Sequence, residues 1–375
     1  AQLPGVAGFR LHYPLNRPDV FDELVAFVGA SYFRALGRGS AYGLSARGLA
    51  LNTGLAKAEE FPRFSRFYVE RPQPGSETIT FYATLESPSV TGAYRFVMTP
   101  GFETVMDVTA RLNFRADVEQ LGIAPLTSMF LFGERNRTDF DDFRPNVHDS
   151  DGLQITRHDG DMLWRPLANP PRLSSSYFAE TNPKSFGLHQ RDREFDHYQD
   201  AAAHYEKRPS VSVEPIGDWG PGAVRLVEIP SDLEVNDNIV AFWVPEAPAK
   251  AGDALMAVHI PPAADKPSRT PGSSTRPASV SCRLRPLRTN RRQAKCSSSV
   301  RICRLMALWV IESSSPARVK ELSRAAASNA RRAYSGGSWR GMRHLQYGRV
   351  RQITEKPIYM SSTHANYRFY PFVQS

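Results

Sequence analysis

From residue 64 onward the chain alternates bulky and polar residues in short runs broken by proline and glycine, a period-two pattern that few folds can satisfy. Residues 65–70, 78–85, 93–99 and 104–115 are rich in aromatic and β-branched side chains, and Arg71-Pro72-Gln73-Pro74-Gly75 and Pro100-Gly101 punctuate them. Side chains two apart share one face of a strand, so each run offers a single apolar face that must be covered. Later runs of the same kind are residues 187–190, 210–214, 223–229 and 239–244. So many strands with so little helix have to bury sheet against sheet, and the expected fold is all-β, a large antiparallel β-sandwich. Two earlier stretches are less plain. Residues 9–16 read as a strand already under way near the first residue, and residues 22–33 fit one short helix or an apolar strand, with Gly29 weighing against the helix.

The pattern stops after about residue 260, and the charge changes with it. The whole chain carries +9, yet residues 261–375 hold 22 Lys and Arg against 4 Asp and Glu, which leaves 25 against 34 in residues 1–260. The two parts are therefore +18 and −9, and arguments from a basic protein to nucleic acid reach only the second. We divide the chain into residues 1–250, the β-sandwich, and residues 251–375, a basic Arg, Ser and Pro-rich tail expected to be disordered apart from a weak helical patch at 317–332. The cluster Arg283, Arg285, Arg288, Arg291 and Arg292 is the only support for nucleic-acid binding, which is not expected. The abrupt change of composition suggests that the tail is an out-of-frame translation. All three cysteines, Cys282, Cys296 and Cys303, lie in it, and a cysteine-free remainder suits an oxidising compartment. No run of eighteen or more apolar residues is present, so no membrane span is expected. Residues 1–10 lack a basic start followed by an apolar stretch, which points to a cytosolic protein or to a chain without its true beginning.

Within the sandwich, chemistry concentrates between residues 141 and 166. Asp141, Asp142, Asp149, Asp151, Asp159 and Asp161 lie there with His148 and His158, with Gly152 placed for a sharp turn, and with the pair Trp164-Arg165 suited to a sugar ring. Carboxylates this dense repel one another, so a fold keeps them in water, on a metal, against arginines or around a substrate. Metal is disfavoured: Gly152 comes too early for a calcium loop, the closing glutamate is missing, and no zinc spacing is present. No cofactor is expected either. The glycines between residues 37 and 48 lack the lysine of a phosphate loop, and Ser45 lacks the surround of a serine nucleophile. Trp164, Trp219, Tyr42, Tyr177 and Tyr198 are candidates to stack on sugars, and Arg47, Arg144 and Arg165 to fork onto hydroxyls or restrain the acids. Core packing and structural ion pairs are the competing readings for each of them.

Longer blocks carry a resemblance. Gly29-Ala30-Ser31-Tyr32-Phe33-Arg34, Tyr42-Gly43-Leu44-Ser45-Ala46-Arg47-Gly48-Leu49-Ala50, Glu59-Glu60-Phe61-Pro62-Arg63-Phe64, the run from Gly122 to Gly133, His148-Asp149-Ser150-Asp151-Gly152 and Asn236-Asp237-Asn238-Ile239-Val240-Ala241-Phe242-Trp243 closely resemble the periplasmic glucans biosynthesis family, proteins G and D. The resemblance runs from about residue 8 to residue 248. It implies a periplasmic location, a galactose-mutarotase-like sandwich with a small immunoglobulin-like domain after it, and inverting endo-hydrolysis of β-1,2-glucan in the making of osmoregulated glucans. Against that pattern, an export signal and sandwich strands expected before Ala1 are absent, and the basic tail stands where the second domain is expected.

By motif position the resemblance places the general acid on Asp237 and the general base on Asp149, a pair that composition alone does not pick. Inverting glycosidases hold such acids roughly 6.5–9.5 Å apart with water between. Asn236 and Asn238 are placed to hydrogen-bond a protonated Asp237, and the strand bearing Trp243 to bury it. Asn-Asp-Asn is also an ordinary turn sequence. Trp164, Arg165, Tyr42, Arg47, Asp151 and Trp219 complete the expected substrate-binding set. The implied partner is a β-glucan oligosaccharide or polysaccharide, and pairing with a second copy as a homodimer stays open. The competing function is a scaffold that binds glucan without cutting it.

Overall fold

A computed structural model describes residues 6–137, 140–260, 280–284 and 368–373. Two ten-stranded sheets dominate it, and a two-stranded ribbon forms a third, separate sheet. The first runs from edge to edge through Ser174–Thr181, Pro221–Glu228, Ile239–Pro245, Leu121–Ser128, Ser45–Arg47, Tyr32–Ala35, Asp22–Val28, Val6–Tyr13 and Arg368–Val373, with Ala50–Leu51 pairing to one side. The second begins at Met162–Pro166, Gly152–Thr156, Ser185–His189 and Val211–Pro215 and ends at Thr104–Phe114, Val90–Thr99, Ile79–Glu86 and Arg63–Val69. Ala254–Ile260 and Val280–Leu284 share the place between these two groups. Pairing among the described strands is antiparallel except that Val280–Leu284 runs parallel to Val211–Pro215 and to Thr104–Phe114.

Some alternating runs become strands with one covered face, as in Thr104–Phe114, where Thr104, Met106, Val108, Ala110 and Leu112 are buried and the residues between them are not, while others, such as Ile239–Pro245, bury both faces over most of their length. Residues 22–33 resolve into two strands, Asp22–Val28 and Tyr32–Ala35, turning at Gly29. Alternation is hidden there because Leu24, Val25, Ala26 and Phe27 are all buried, so both faces of that strand are covered.

Phenylalanines fasten the sheets. Phe27 stacks on Phe9 and Phe33 of its own sheet, with centroids 5.1 and 5.0 Å away, and meets Phe81 and Phe96 of the other sheet edge-on at 5.3 Å each. Edge-to-face contact adds to the area each ring buries, so the register between sheets is specific as well as apolar. The functional loops leave from the ends of these strands. The ribbon of Phe130–Phe132 with Val147–His148 lies at one such end, and the loop between Pro221–Glu228 and Ile239–Pro245 beside it.

Among the described residues no helix is long and apolar enough to cross a membrane. The helical patch at 317–332, Cys296, Cys303 and the arginines at 285, 288, 291 and 292 lie outside the described residues, as does most of the basic tail.

Candidate functional site

Asp149 directly follows the short strand Val147–His148, and its amide donates to the Met129 carbonyl at 2.9 Å. Asp237 arrives from a distant hairpin loop, and its neighbour Asn238 carries it across. The Asn238 side-chain oxygen accepts from the Phe130 amide at 2.8 Å, while its nitrogen donates to the Phe130 and Ile229 carbonyls at 2.9 and 3.0 Å. One buried amide thus pins the Asp237 turn to the chain segment that holds Asp149.

That arrangement corrects the expected role of the asparagines. Asn238 spends its hydrogen bonds on backbone, and Asn236 donates to the Ser231 hydroxyl at 3.1 Å. Buried backbone groups at a hairpin end need partners, and a side-chain amide both donates and accepts, so it is taken up there instead of by the acid. Asp237 instead faces Arg34, whose Nη2 lies 3.5 Å from its Oδ2. The Arg34 Nε donates to the Ser45 hydroxyl at 2.7 Å, which makes that buried serine an orienting group.

Asp149 faces Arg208, with Nη1 3.3 Å from Oδ1. Each of the two arginines acts on both acids. Burial pushes Asp149 up to about 6, with Arg208 and Arg34 pulling back and Asp237 and Glu234 pushing further. Burial raises Asp237 as well, against the pull of Arg34 and Arg208. The Asp149 side chain is 9% exposed and that of Asp237 30%, so one acid is sunk and the other reaches solvent.

His148 supports this floor without charge. Burial holds its imidazole down to about 4, and the ring stacks on Phe130 with centroids 5.1 Å apart. Its Nδ1 meets the Gln190 side-chain oxygen at 2.9 Å, while the Gln190 nitrogen donates to the His148 and Tyr205 carbonyls. With that amide so oriented, Nδ1 carries the imidazole proton.

The other expected site residues separate into different settings. The Tyr42 carbonyl accepts from Arg208, which ties this residue to the acids; burial pushes its hydroxyl up, and the neighbouring Glu23 adds to that. Arg47 is buried and pairs with Glu59 at 2.7 Å, its guanidinium 5.1 Å from the ring centres of both Tyr32 and Phe61. Burial raises Asp151, whose Oδ2 accepts from the Arg191 amide at 3.2 Å. The Arg191 guanidinium sits 3.4 Å from the Trp164 ring centre. Gly152 lies within a strand, not at a turn, and a Cβ there would meet the Trp164 ring at 2.0 Å, so the glycine seats the indole. Arg165 pairs with the buried Glu228 at 2.9 Å. Trp219 is buried between Phe186 and Trp243.

The dense acidic run finds arginine. Arg144 joins Asp142, Asp200 and Glu234 at 2.6, 2.7 and 2.8 Å, tying the residue 229–238 loop to two others. Asp159 and Asp161 lie on an exposed turn. Arg208, Gln190 and the pairing role of Arg34 carry no local sign in the sequence: Arg34 and Asp237 are 203 residues apart.

Residues 1–292 match the model of the family described as periplasmic glucan biosynthesis protein, MdoG. The chain is 74% identical over 252 residues to glucans biosynthesis protein G of Cereibacter sphaeroides, an alignment covering 67% of this chain and 47% of that protein. It is 57% identical over 246 residues to the protein of the same name from Ralstonia nicotianae, covering 66% and 49%. For the one from Shewanella frigidimarina the figures are 58% over 248 residues, covering 66% and 44%. The chain spans about half the length of the curated relatives it matches.

Proposed function

Since the chain belongs to the periplasmic glucan biosynthesis protein family, we propose that it acts in the periplasm in the making of glucans, by inverting hydrolysis of a β-1,2-glucan backbone. The observation that supports hydrolysis is that two carboxyls raised by burial, Asp149 and Asp237, stand in the field of the same two arginines, Arg34 and Arg208. A base with a pKa near 6 is ionised at neutral pH and still takes a proton readily, which suits Asp149. It removes a proton from water as the water oxygen bonds to the anomeric carbon from the face opposite the leaving sugar. Asp237, nearer solvent, gives its proton to the leaving oxygen as the glycosidic bond breaks. Glucan covering Asp237 strips its remaining water and raises it further, favouring the protonated form the step needs.

Arg34 supports a second reading. A guanidinium beside Asp237 favours the anion, and an acid held ionised binds sugar hydroxyls without protonating a leaving group. In that case the protein is a glucan-binding scaffold. Incubation with linear β-1,2-glucan separates the two: hydrolysis gives new reducing ends, and Asp237→Asn or Asp149→Asn lowers their rate by about 10²-fold or more. Retained glucan binding with no new reducing ends leaves the scaffold.

A further inference from the structure

We infer that Arg208 is a positioning residue that holds the Asp149 carboxylate in place as an anion, from a seat that the glycine at position 43 leaves open. This rests on the reading of Asp149 as the base.

The guanidinium is set by groups other than the acid. Arg208 Nε donates to the Ala203 carbonyl at 3.1 Å, Nη1 donates to the Tyr42 carbonyl, and the Tyr205 ring centre lies 5.0 Å away. Its backbone amide closes the turn by donating to the Tyr205 carbonyl at 3.1 Å. His204 enters that turn at φ 48°, in the left-handed region that few residues with a Cβ occupy. The side chain is therefore pre-set before any carboxylate is considered. Asp149 Oδ1, by contrast, is buried without an aligned hydrogen bond, and Arg208 at 3.3 Å is the cation in contact with it. A cation fixed by neutral carbonyls and presented to a buried carboxylate oxygen that lacks a hydrogen bond acts on that carboxylate's position and charge.

The seat is specific. A Cβ built on Gly43 would lie 3.1 Å from both Cβ and Cδ of Arg208 and 3.4 Å from Cδ of Pro209. The stem of the arginine thus lies against bare backbone, next to the Tyr42 carbonyl that it uses. Position 43 and position 208 are coupled through this contact.

The charges facing Asp149 are those of Arg208, Arg34, Asp237 and Glu234, with His148 neutral beside it and the Tyr205 hydroxyl raised by burial nearby. Removing Arg208 leaves Arg34 as the opposing cation against two carboxylates. The test is a carboxyl ¹³C NMR titration of Asp149 in the full chain without glucan, its resonance assigned by Asp149→Asn. In Arg208→Gln the midpoint moves up from about 6 by about one pH unit. Arg208→Lys, with charge but no fork, moves it by less, and Gly43→Ala moves it upward by displacing the stem.

A midpoint unchanged in folded Arg208→Gln overturns the inference. Should that variant not fold, unchanged midpoints in both Arg208→Lys and Gly43→Ala overturn it equally. Because the titration needs no turnover, it is separable from the proposed hydrolysis: unimpaired cutting by Asp149→Asn sinks Asp149 as base and leaves the titration standing. If hydrolysis holds, Arg208→Gln lowers kcat more than it raises KM and moves the acidic limb of kcat/KM to higher pH by the same interval.

Discussion

His148 and Asp149 are adjacent in sequence, and their titrations pull stability in opposite directions. Asp149 rises from 3.8 to about 6 on folding, so the folded chain binds the extra proton between those values. Its contribution is present at low pH and is lost as pH rises through about 6. His148 falls from 6.5 to about 4, so its contribution is present at neutral pH and lost as pH falls through about 4. Each shift corresponds to about 3 kcal/mol in order of magnitude, and over this window the two nearly cancel. Asp149→Asn removes one side of the balance. Relative to the parent chain, that variant gains stability as pH is raised from 4 to 6.5, by up to about 3 kcal/mol. Urea unfolding of both proteins at pH 4.5 and pH 7 measures the difference, and a difference independent of pH refutes it. At this scale the sequence offered little beyond the family motifs. Asp149 and Asp237 were singled out by motif position, while Arg34 and Arg208 reach them through folds of the chain that no local pattern encodes. The sequence also cannot show which way a tryptophan faces: Trp219 turns inward onto Trp243, while Trp164 stays partly exposed under Arg191.

Elements bring the two acids together, and Asn238 is the fastener. Replacing it with alanine strips three hydrogen bonds and leaves the Phe130 amide and the Phe130 and Ile229 carbonyls short of partners. A buried group left unsatisfied costs about 1–3 kcal/mol, so Asn238→Ala destabilises the chain by about 2–4 kcal/mol. The same change lets the Asp237 loop drift from Asp149, and if the proposed hydrolysis holds, its rate falls more than stability alone explains. Denaturant midpoints and initial rates, taken well below the unfolding transition, separate the two effects; an unchanged rate refutes the fastening role. Strands were legible where one face is open, as at Thr104–Phe114, and also where both faces are buried but aromatic and β-branched residues run together, as at Ile239–Pro245. Asp22–Val28 hides its alternation by burying both faces. Leu121–Ser128 hides it differently: Ala124 at φ 51° and a register break between Ile123 and Leu126 make a bulge, with Pro125 inside the run. A strand that carries proline and a left-handed residue looks like a loop until its neighbours are known.

For the whole molecule, the sandwich separates what holds the chain together from what acts. Between the sheets lies the phenylalanine cluster, and at the strand ends lie the acids, tied on by Asn238, Arg144 and Gln190. Sequence alternation was enough to expect two packed sheets, since each alternating run has at least one face to cover. It was not enough to place the ends, because loops are fixed by single hydrogen bonds whose partners lie far away in the chain. If the two functions are separable, damage to the cluster should leave the acids as they are. Phe81 is fully buried, and its ring meets Phe9, Phe27 and Phe96. Phe81→Ala removes those contacts and leaves a cavity, which costs about 3–5 kcal/mol. A folded chain typically holds about 5–15 kcal/mol in reserve, so the variant remains folded at low temperature. Its Asp149 titration should then keep the parent midpoint near 6, since contributions from distant sites without shared partners add independently. Thermal unfolding and the carboxyl titration of Phe81→Ala test this together. A lowered melting temperature with an unmoved midpoint is the expected pair; a midpoint that moves with the core mutation means that sheet packing sets the acid's environment directly, and the division between scaffold and site fails.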